Sequence, residues 1–265
     1  MMQTQIQQPT AKSQQPTANS QKNKHMHTGI FIPCFIDQLF PDTGHSMVRV
    51  LEKAGVKVAY NPEQTCCGQV AFNNGFWDEA KCLGEKFIRD FMEYDYVVGP
   101  SASCIGMVKN YYPEMFYNSA WHNENKYLSK KIYEFTDFLV NMVKKPDLGA
   151  KFEARITFHD SCAALREYGL KDEPRELLSH VAGLELIEMQ HRDECCGFGG
   201  TFSVKHEAIS TAMAEQKVQH ALATGADYIV STEASCLMHV DGYIKKHQLP
   251  MKTMHIADLL AAGLT

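Results

Sequence analysis

The sequence predicts an α/β fold built from two duplicated Rossmann-like halves, each with a mainly parallel sheet, related by a pseudo-twofold axis. Two observations carry this. Short apolar runs alternate with amphipathic stretches along residues 28–265, the order of βαβ units. In addition, Cys34, Cys66, Cys67 and Cys104 are matched by Cys162, Cys195, Cys196 and Cys236 at offsets of 128, 129, 129 and 132 residues. A duplicated module of about 115 residues explains the match economically.

The elements follow in order. Gly29 to Pro33 is an apolar run ending at Cys34, a buried strand. Met47, Val50, Leu51 and Ala54 recur at helical spacing, with Gly55 as the stop. Val56, Val58 and Tyr60 alternate as a strand. Phe76 to Met92 reads as a helix, with Ala80, Leu83, Phe87 and Phe91 on one face, and Tyr94 to Val98 as a strand. Asn125 to Val143 reads as one helix, with Leu128, Ile132, Phe135, Leu139 and Met142 on one face. Lys144 to Gly149 is a linker. The order then restarts: a strand over Arg155 to His159, a helix over Pro174 to Ala182, a strand over Leu184 to Met189, a long helix over Val204 to Ala223, a strand over Asp227 to Ser231 and a short helix over Ile256 to Ala262. The domains are therefore expected at 28–147 and 152–265.

Residues 1–27 hold seven Gln, three Lys and no acid, with Ile6 as the one branched aliphatic. Such a segment cannot bury enough apolar surface to offset its ordering entropy, so a disordered leader is expected. It contains no apolar segment of a secretory signal, and a cytoplasmic location with reduced thiols is the expectation. The net charge of −5 provides no basic excess for nucleic acid. No run is long and apolar enough to span a membrane.

Nine cysteines are an unusual number, and eight of them fall into the repeated clusters. In a reducing compartment they indicate metal ligands or redox catalysts before disulfides. In an open α/β sheet the loops past the carboxyl ends of the strands converge on one crevice. Each half can therefore bring four thiols together. Four thiolates suit zinc or an iron–sulfur cluster. Neither the Cys-x2-Cys pairs of zinc ribbons nor a ferredoxin run is present, so spacing alone gives a duplicated thiolate metal or redox site. Adjacent cysteines on a strand point to opposite faces. The chain must turn for both to meet one centre, and Gly68 and Gly197 supply that turn. Gly197-Phe-Gly-Gly200, and a helix starting near Val204, offer backbone N–H groups to an anionic object. Cys82 has no partner in the repeat and is read as a small buried hydrophobe on a helix. His159 is read as a core or capping histidine, with contact to a cluster sulfur or a substrate as the alternative.

The doubled pattern Cys…Cys-Cys-Gly…Cys resembles the cysteine-rich "CCG" domain family. That family includes the disulfide-cleaving subunit of heterodisulfide reductase, the cysteine-rich subunits of anaerobic glycerol-3-phosphate dehydrogenase and glycolate oxidase, and the lactate utilization protein A group. The opening Ile-Pro-Cys34, Gly-Pro-Ser-Ala-Ser-Cys104, Cys195-Cys-Gly-Phe-Gly-Gly200 and Ser-Thr-Glu-Ala-Ser-Cys236 are most similar to the last group, over residues 28–265. The resemblance implies one or two iron–sulfur clusters, of the [4Fe–4S] type, held by Cys34, Cys66, Cys67 and Cys104 and by Cys162, Cys195, Cys196 and Cys236, with zinc in one site as a variant. The Gly-rich second copy is the better adapted to a cluster. It implies an electron-transfer subunit of an L-lactate (or related 2-hydroxy acid) oxidation complex, working with a ferredoxin-like iron–sulfur protein and a further subunit. The alternatives are a thiol–disulfide reductase and a zinc-binding interaction module. The heterodisulfide reductase relatives end each motif in Cys-x-x-Cys, giving five thiols per site. Here Ser101 and Glu233 stand at the first position of that pair, which weakens the reductase alternative.

Overall fold

The computed structural model describes residues 26–264. The leader read over residues 1–27 lies, up to position 25, outside the described residues. At its end the His27 N–H donates to Asp95 Oδ2 at 3.0 Å and its ring packs on Tyr94.

The first half runs β1 (Thr28–Ile30), α1 (Cys34–Leu39), α2 (Pro41–Lys53), β2 (Val58–Tyr60), α3 (Gln69–Asn73), α4 (Trp77–Phe91), β3 (Tyr96–Gly99), α5 (Ala102–Gly106), α6 (Tyr112–Met115), α7 (His122–Leu128), β4 (Ile132–Glu134) and α8 (Phe135–Asp137). The second runs β5 (Lys151–Phe158), α9 (Glu173–Ser179), β6 (Ala182–Leu186), α10 (Phe202–Lys205), α11 (Glu207–Leu222), β7 (Tyr228–Ser231), α12 (Ala234–Lys246), β8 (Lys252–His255) and α13 (Ile256–Ala262). Wider π-helical turns occupy Met107–Tyr111, Phe138–Val143 and Ala163–Tyr168. Each half forms a four-stranded parallel sheet, in the orders β2-β1-β3-β4 and β6-β5-β7-β8. Identical strand order in both halves is the architecture that the cysteine repeat predicts.

The strands sort their side chains by alternation. Ile30 and Val98 join one core, while their neighbours Phe31 and Val97 join another on the opposite face. Val230 and Ile229 divide in the same way in the second sheet. The first of these cores belongs to both halves. Met47, Val50 and Leu51 of α2 share it with Leu259 and Leu260 of α13, and Phe135, Phe138 and Leu139 share it with Leu177 and Leu178 of α9. The two sheets thus enclose a common helical layer.

Polar contacts across the layer are reciprocal. Asp137, at the start of α8, accepts from the Tyr168 hydroxyl, and Asp258, at the equivalent place in α13, accepts from Thr43 Oγ1 at 2.8 Å. The N-caps are also equivalent. The Glu134 carboxylate accepts from the Thr136 and Asp137 amides, and His255 Nδ1 from the Ala257 amide. Each half therefore places the last helix of its sheet against the first turns of the other half, as a twofold relation requires.

Apart from shifted ends, as where β6 begins at Ala182 and stops at Leu186, local readings differ in three places. Residues 125–143 form α7, β4, α8 and a π-helical turn in place of one helix. Leu128, Ile132, Phe135 and Leu139 are all fully buried, as the spacing demands. A short strand beside β3, with Ile132 opposite Val97, buries them equally well. The helix read from Val204 is broken at His206, so α11 starts at Glu207. Cys82 lies on α4 but is exposed, because the buried stripe of α4 is Ala80, Gly84, Phe87, Ile88 and Phe91.

Candidate metal centre

Parallel strands deliver the cysteines to one edge of each sheet. Cys34 opens α1 just past β1, Cys66 and Cys67 follow β2, and Cys104 lies in α5 past β3. Cys162, Cys195, Cys196 and Cys236 occupy the same places around β5, β6 and β7. The two edges face each other. All eight cysteines line a single cavity of about 240 Å³, a convergence that the sequence does not reveal.

Within each group the thiols influence one another in the same order: Cys66 is flanked by Cys34 and Cys67, and Cys67 by Cys104; Cys195 is flanked by Cys162 and Cys196, and Cys196 by Cys236. The Cys162 and Cys195 sulfurs are 3.9 Å apart. The Cys162 thiol donates to Cys195 Sγ. The neighbouring Cys34 and Cys67 thiols hold Cys66 well below the usual thiol range, and Cys162 and Cys196 do the same for Cys195. Cys34, Cys67, Cys162 and Cys196 are pushed up in turn. A thiolate held by neighbouring donors is the species that binds metal.

The glycine after each cysteine pair makes the turn. Gly68 and Gly197 have φ of 83° and 92°, a region that favours glycine. Their amides donate to Cys66 Sγ and Cys195 Sγ, each at 3.4 Å. The helix that follows passes close behind. A Cβ on Gly197 would meet the Ser210 carbonyl oxygen at 2.6 Å, and one on Gly68 the Ala80 carbonyl oxygen at 3.1 Å. The Phe198–Thr201 loop reaches the cavity, with Gly199 and Gly200 also at positive φ. The start of α11 does not line it.

Between the two thiol groups lie the two positions that carry no cysteine. Ser101 Oγ donates to Glu233 Oε1 at 3.0 Å, and the Ser103 amide donates to Glu233 Oε2 at 3.0 Å. Ser235 Oγ also reaches Glu233 Oε1, at 3.3 Å. Both Ser101 and Glu233 are buried, and burial raises the Glu233 carboxyl above its ordinary value against these donors.

His159 is the site residue that the sequence underweights. It is 1% exposed, and among the described residues neither ring nitrogen has a hydrogen-bond partner. Its nitrogen and the sulfurs of Cys196 and Cys236 lie within 4.8 Å of one another. Burial, then the nearby Lys217 charge, push the imidazole down to about 3; Cys195 and the Arg192 main chain, outside hydrogen-bonding geometry, act in the other direction. The signal available in the sequence is the break in the repeat. The position equivalent to His159 in the first half is Phe31.

Four sulfurs at each of two equivalent positions, a turn that directs an amide at one of them and a cavity between the groups fit a thiolate-held metal or cluster. Fold and site together define a duplicated cysteine-rich α/β protein. The chain belongs to the CCG cysteine-rich domain family, whose model matches residues 28–109 and again 156–241. It is 40% identical over 240 residues to lactate utilization protein A 2 of Bacillus cereus (strain AH820), covering 90% of this chain and 99% of that protein. It is 43% identical over 238 residues to lactate utilization protein A of Geobacillus kaustophilus (strain HTA426), covering 89% and 99%. Among solved structures, a hypothetical protein from Helicobacter pylori shares the fold at TM-score 0.61 and 12% identity. The match covers 91% of this chain and 49% of that longer one. Among the described residues, no helix is long and apolar enough to cross a membrane.

Proposed function

We propose that the chain is an iron–sulfur electron-transfer subunit serving the oxidation of L-lactate or a related 2-hydroxy acid. One observation carries the reading: eight cysteines, in two equivalent four-thiol groups, open on one cavity. Cys34, Cys66, Cys67 and Cys104 hold one centre, and Cys162, Cys195, Cys196 and Cys236 the other. Four thiols per group match one per iron of a [4Fe–4S] cluster. Such a group supplies one-electron redox chemistry that no side chain of this protein offers. The protein's own part is to hold the sulfurs as thiolates through the Gly68 and Gly197 amides and to bury Cys67 and Cys196 away from water.

The lactate assignment rests on likeness to relatives that carry that name over almost their whole length, which is an argument by analogy. By the same analogy the partners are a ferredoxin-like iron–sulfur protein and a further subunit of the oxidising complex. A thiol–disulfide reductase of the five-thiol type fits less well. Ser101 and Glu233, where the extra thiols would stand, are bound to each other.

The test is reduction of the anaerobically loaded chain by L-lactate in the presence of the candidate partners, followed by visible absorbance. Bleaching that needs both lactate and the partners supports the reading. Full loading with iron but no lactate-dependent bleaching would remove the lactate assignment.

A further inference from the structure

The two thiol groups are equivalent in the backbone but not in what stands behind them. The Phe31 amide donates to the Val98 carbonyl at 2.9 Å, and the His159 amide to the Val230 carbonyl at 2.8 Å, so these residues occupy one position in the two halves. The helices correspond as well. The residues packed behind Gly68 are Ala80 and Leu83, and those behind Gly197 are Ser210 and Met213, a constant offset of 130. The buried stripe Ala80, Gly84, Phe87, Ile88 and Phe91 then becomes Ser210, Ala214, Lys217, Val218 and Ala221. Lys217 stands where the first half has Phe87.

In the first half these two positions form an aromatic pair. Phe31 and Phe87 meet edge to face at 4.8 Å, both fully buried. In the second half the pair is His159 and Lys217, each 1% exposed. Lys217 Nζ donates to the His191 carbonyl at 2.6 Å and to the Arg192 carbonyl at 3.4 Å. His159 points an unpartnered nitrogen at the Cys196 and Cys236 sulfurs. The Lys217 ammonium faces Glu194 first, then Cys196, Asp193 and Asp160, so a buried cation and an unpaired histidine stand behind the second thiol group where two phenylalanines stand behind the first.

We propose that His159 and Lys217 make the second thiol group the electron-accepting end of the chain, with the first, backed by Phe31 and Phe87, as the donating end. The inference rests on the iron–sulfur reading above. An added electron makes a thiolate-held centre more negative. A fixed cation and an N–H donor stabilise that state, whereas an apolar backing does not, and the low dielectric strengthens the effect. The claim is one of equilibrium: at a given potential the second half holds its electron more often than the first. His159 and Lys217 are positioning residues in this account, since they act on the centre through its sulfurs.

The test is a potentiometric titration of the anaerobically loaded full chain, followed by electron paramagnetic resonance, with iron and sulfide counted on every sample. Wild type is expected to show two midpoints. In Lys217→Met and in His159→Phe, the latter restoring the residue of the first half, the upper midpoint falls and the lower stays. The expected size for Lys217→Met is tenfold or more in the reduced-to-oxidised ratio, about 59 mV for one electron. Lys217→Arg, which keeps the cation, restores the upper midpoint. If a single midpoint is seen, it must be the one that falls. Unshifted midpoints, equal shifts of both, or no rescue by arginine would overturn the inference while leaving the iron–sulfur reading in place. Should Lys217→Met lose its iron, His159→Phe and Lys217→Arg decide by the same criteria. A wild-type chain that loads no iron would remove the underlying reading and this inference with it.

Discussion

Ser101 of the first half and Glu233 of the second occupy equivalent positions in the repeat, and they are hydrogen-bonded to each other at 3.0 Å on the wall of the shared cavity. The bond ties the two thiol groups together. It also occupies both places where a longer cysteine motif would add a sulfur. Ser101→Ala removes one of the donors to a buried carboxylate. It is expected to cost about 1–2 kcal/mol in urea unfolding and to leave iron content unchanged. A loss of iron in this variant would mean that Ser101 serves the centre directly.

The two groups are built from separate sets of cysteines, so they should fail separately. In a chain with both groups filled, Cys195→Ser is expected to lose about half of the bound iron and leave the rest. Cys66→Ser should do the same for the other half. Exposed Cys82 lies apart from both groups, and Cys82→Ser should leave metal content unchanged. Where the wild-type chain binds about eight irons, loss of all of them in either single variant would contradict two independent sites.

Gly197 and Gly68 differ in how closely the following helix passes. At Gly197 a methyl group would meet backbone oxygen at 2.6 Å and also requires φ of 92°. Gly197→Ala is expected to cost roughly 1–3 kcal/mol and to deplete the second centre. Gly68→Ala, with its nearest contact at 3.1 Å, should be milder. Iron analysis alongside thermal unfolding distinguishes the two, and an equal effect at both glycines would count against the packing argument.

The core shared by α2 and α13 joins the halves. Leu51 is fully buried in it, and Leu51→Ala should destabilise by about 2–5 kcal/mol. Because the core belongs to both halves, far- and near-ultraviolet circular dichroism should report one transition. Two separated transitions would show that the halves fold independently.

Glu134 is fully buried, one of its oxygens has no partner among the described residues, and burial raises its carboxyl to about 8 despite hydrogen bonds from Thr136 and the Asp137 amide. The folded state therefore keeps a proton that the unfolded chain releases near pH 4.5. The stability this group contributes is full below that value and falls as pH rises to about 8, by at most about 1.4 kcal/mol per unit. Glu134→Gln retains an acceptor for the α8 cap and removes this slope. The variant should gain on wild type between about pH 5 and pH 8 in urea midpoints, and a constant difference across that range would contradict the protonated carboxyl.

Much of this architecture is legible in the sequence because it is written twice. The cysteine offsets give the duplication, and the turn glycines at 68 and 197 follow from the adjacent cysteines. The helix α4 follows from apolar spacing; α11, whose buried stripe includes Ser210 and Lys217, is legible as a long helix but starts at Glu207 and not at Val204. Three-residue strands are harder. Ile132 to Glu134 fits a helical stripe as well as a strand, and only its pairing with β3 decides. The meeting of Ser101 with Glu233 depends on how two sheets face each other, which local pattern does not encode. His159 is within reach of the sequence: aligning the halves by their cysteines sets it against Phe31, and a polar residue that breaks an apolar repeat is the signal.

Iron, acid-labile sulfide and zinc per chain, measured on protein purified without oxygen, test the central claim most directly. The account predicts about eight irons and eight sulfides with both groups filled, or about four of each with one. Stoichiometric zinc without iron or sulfide would contradict it.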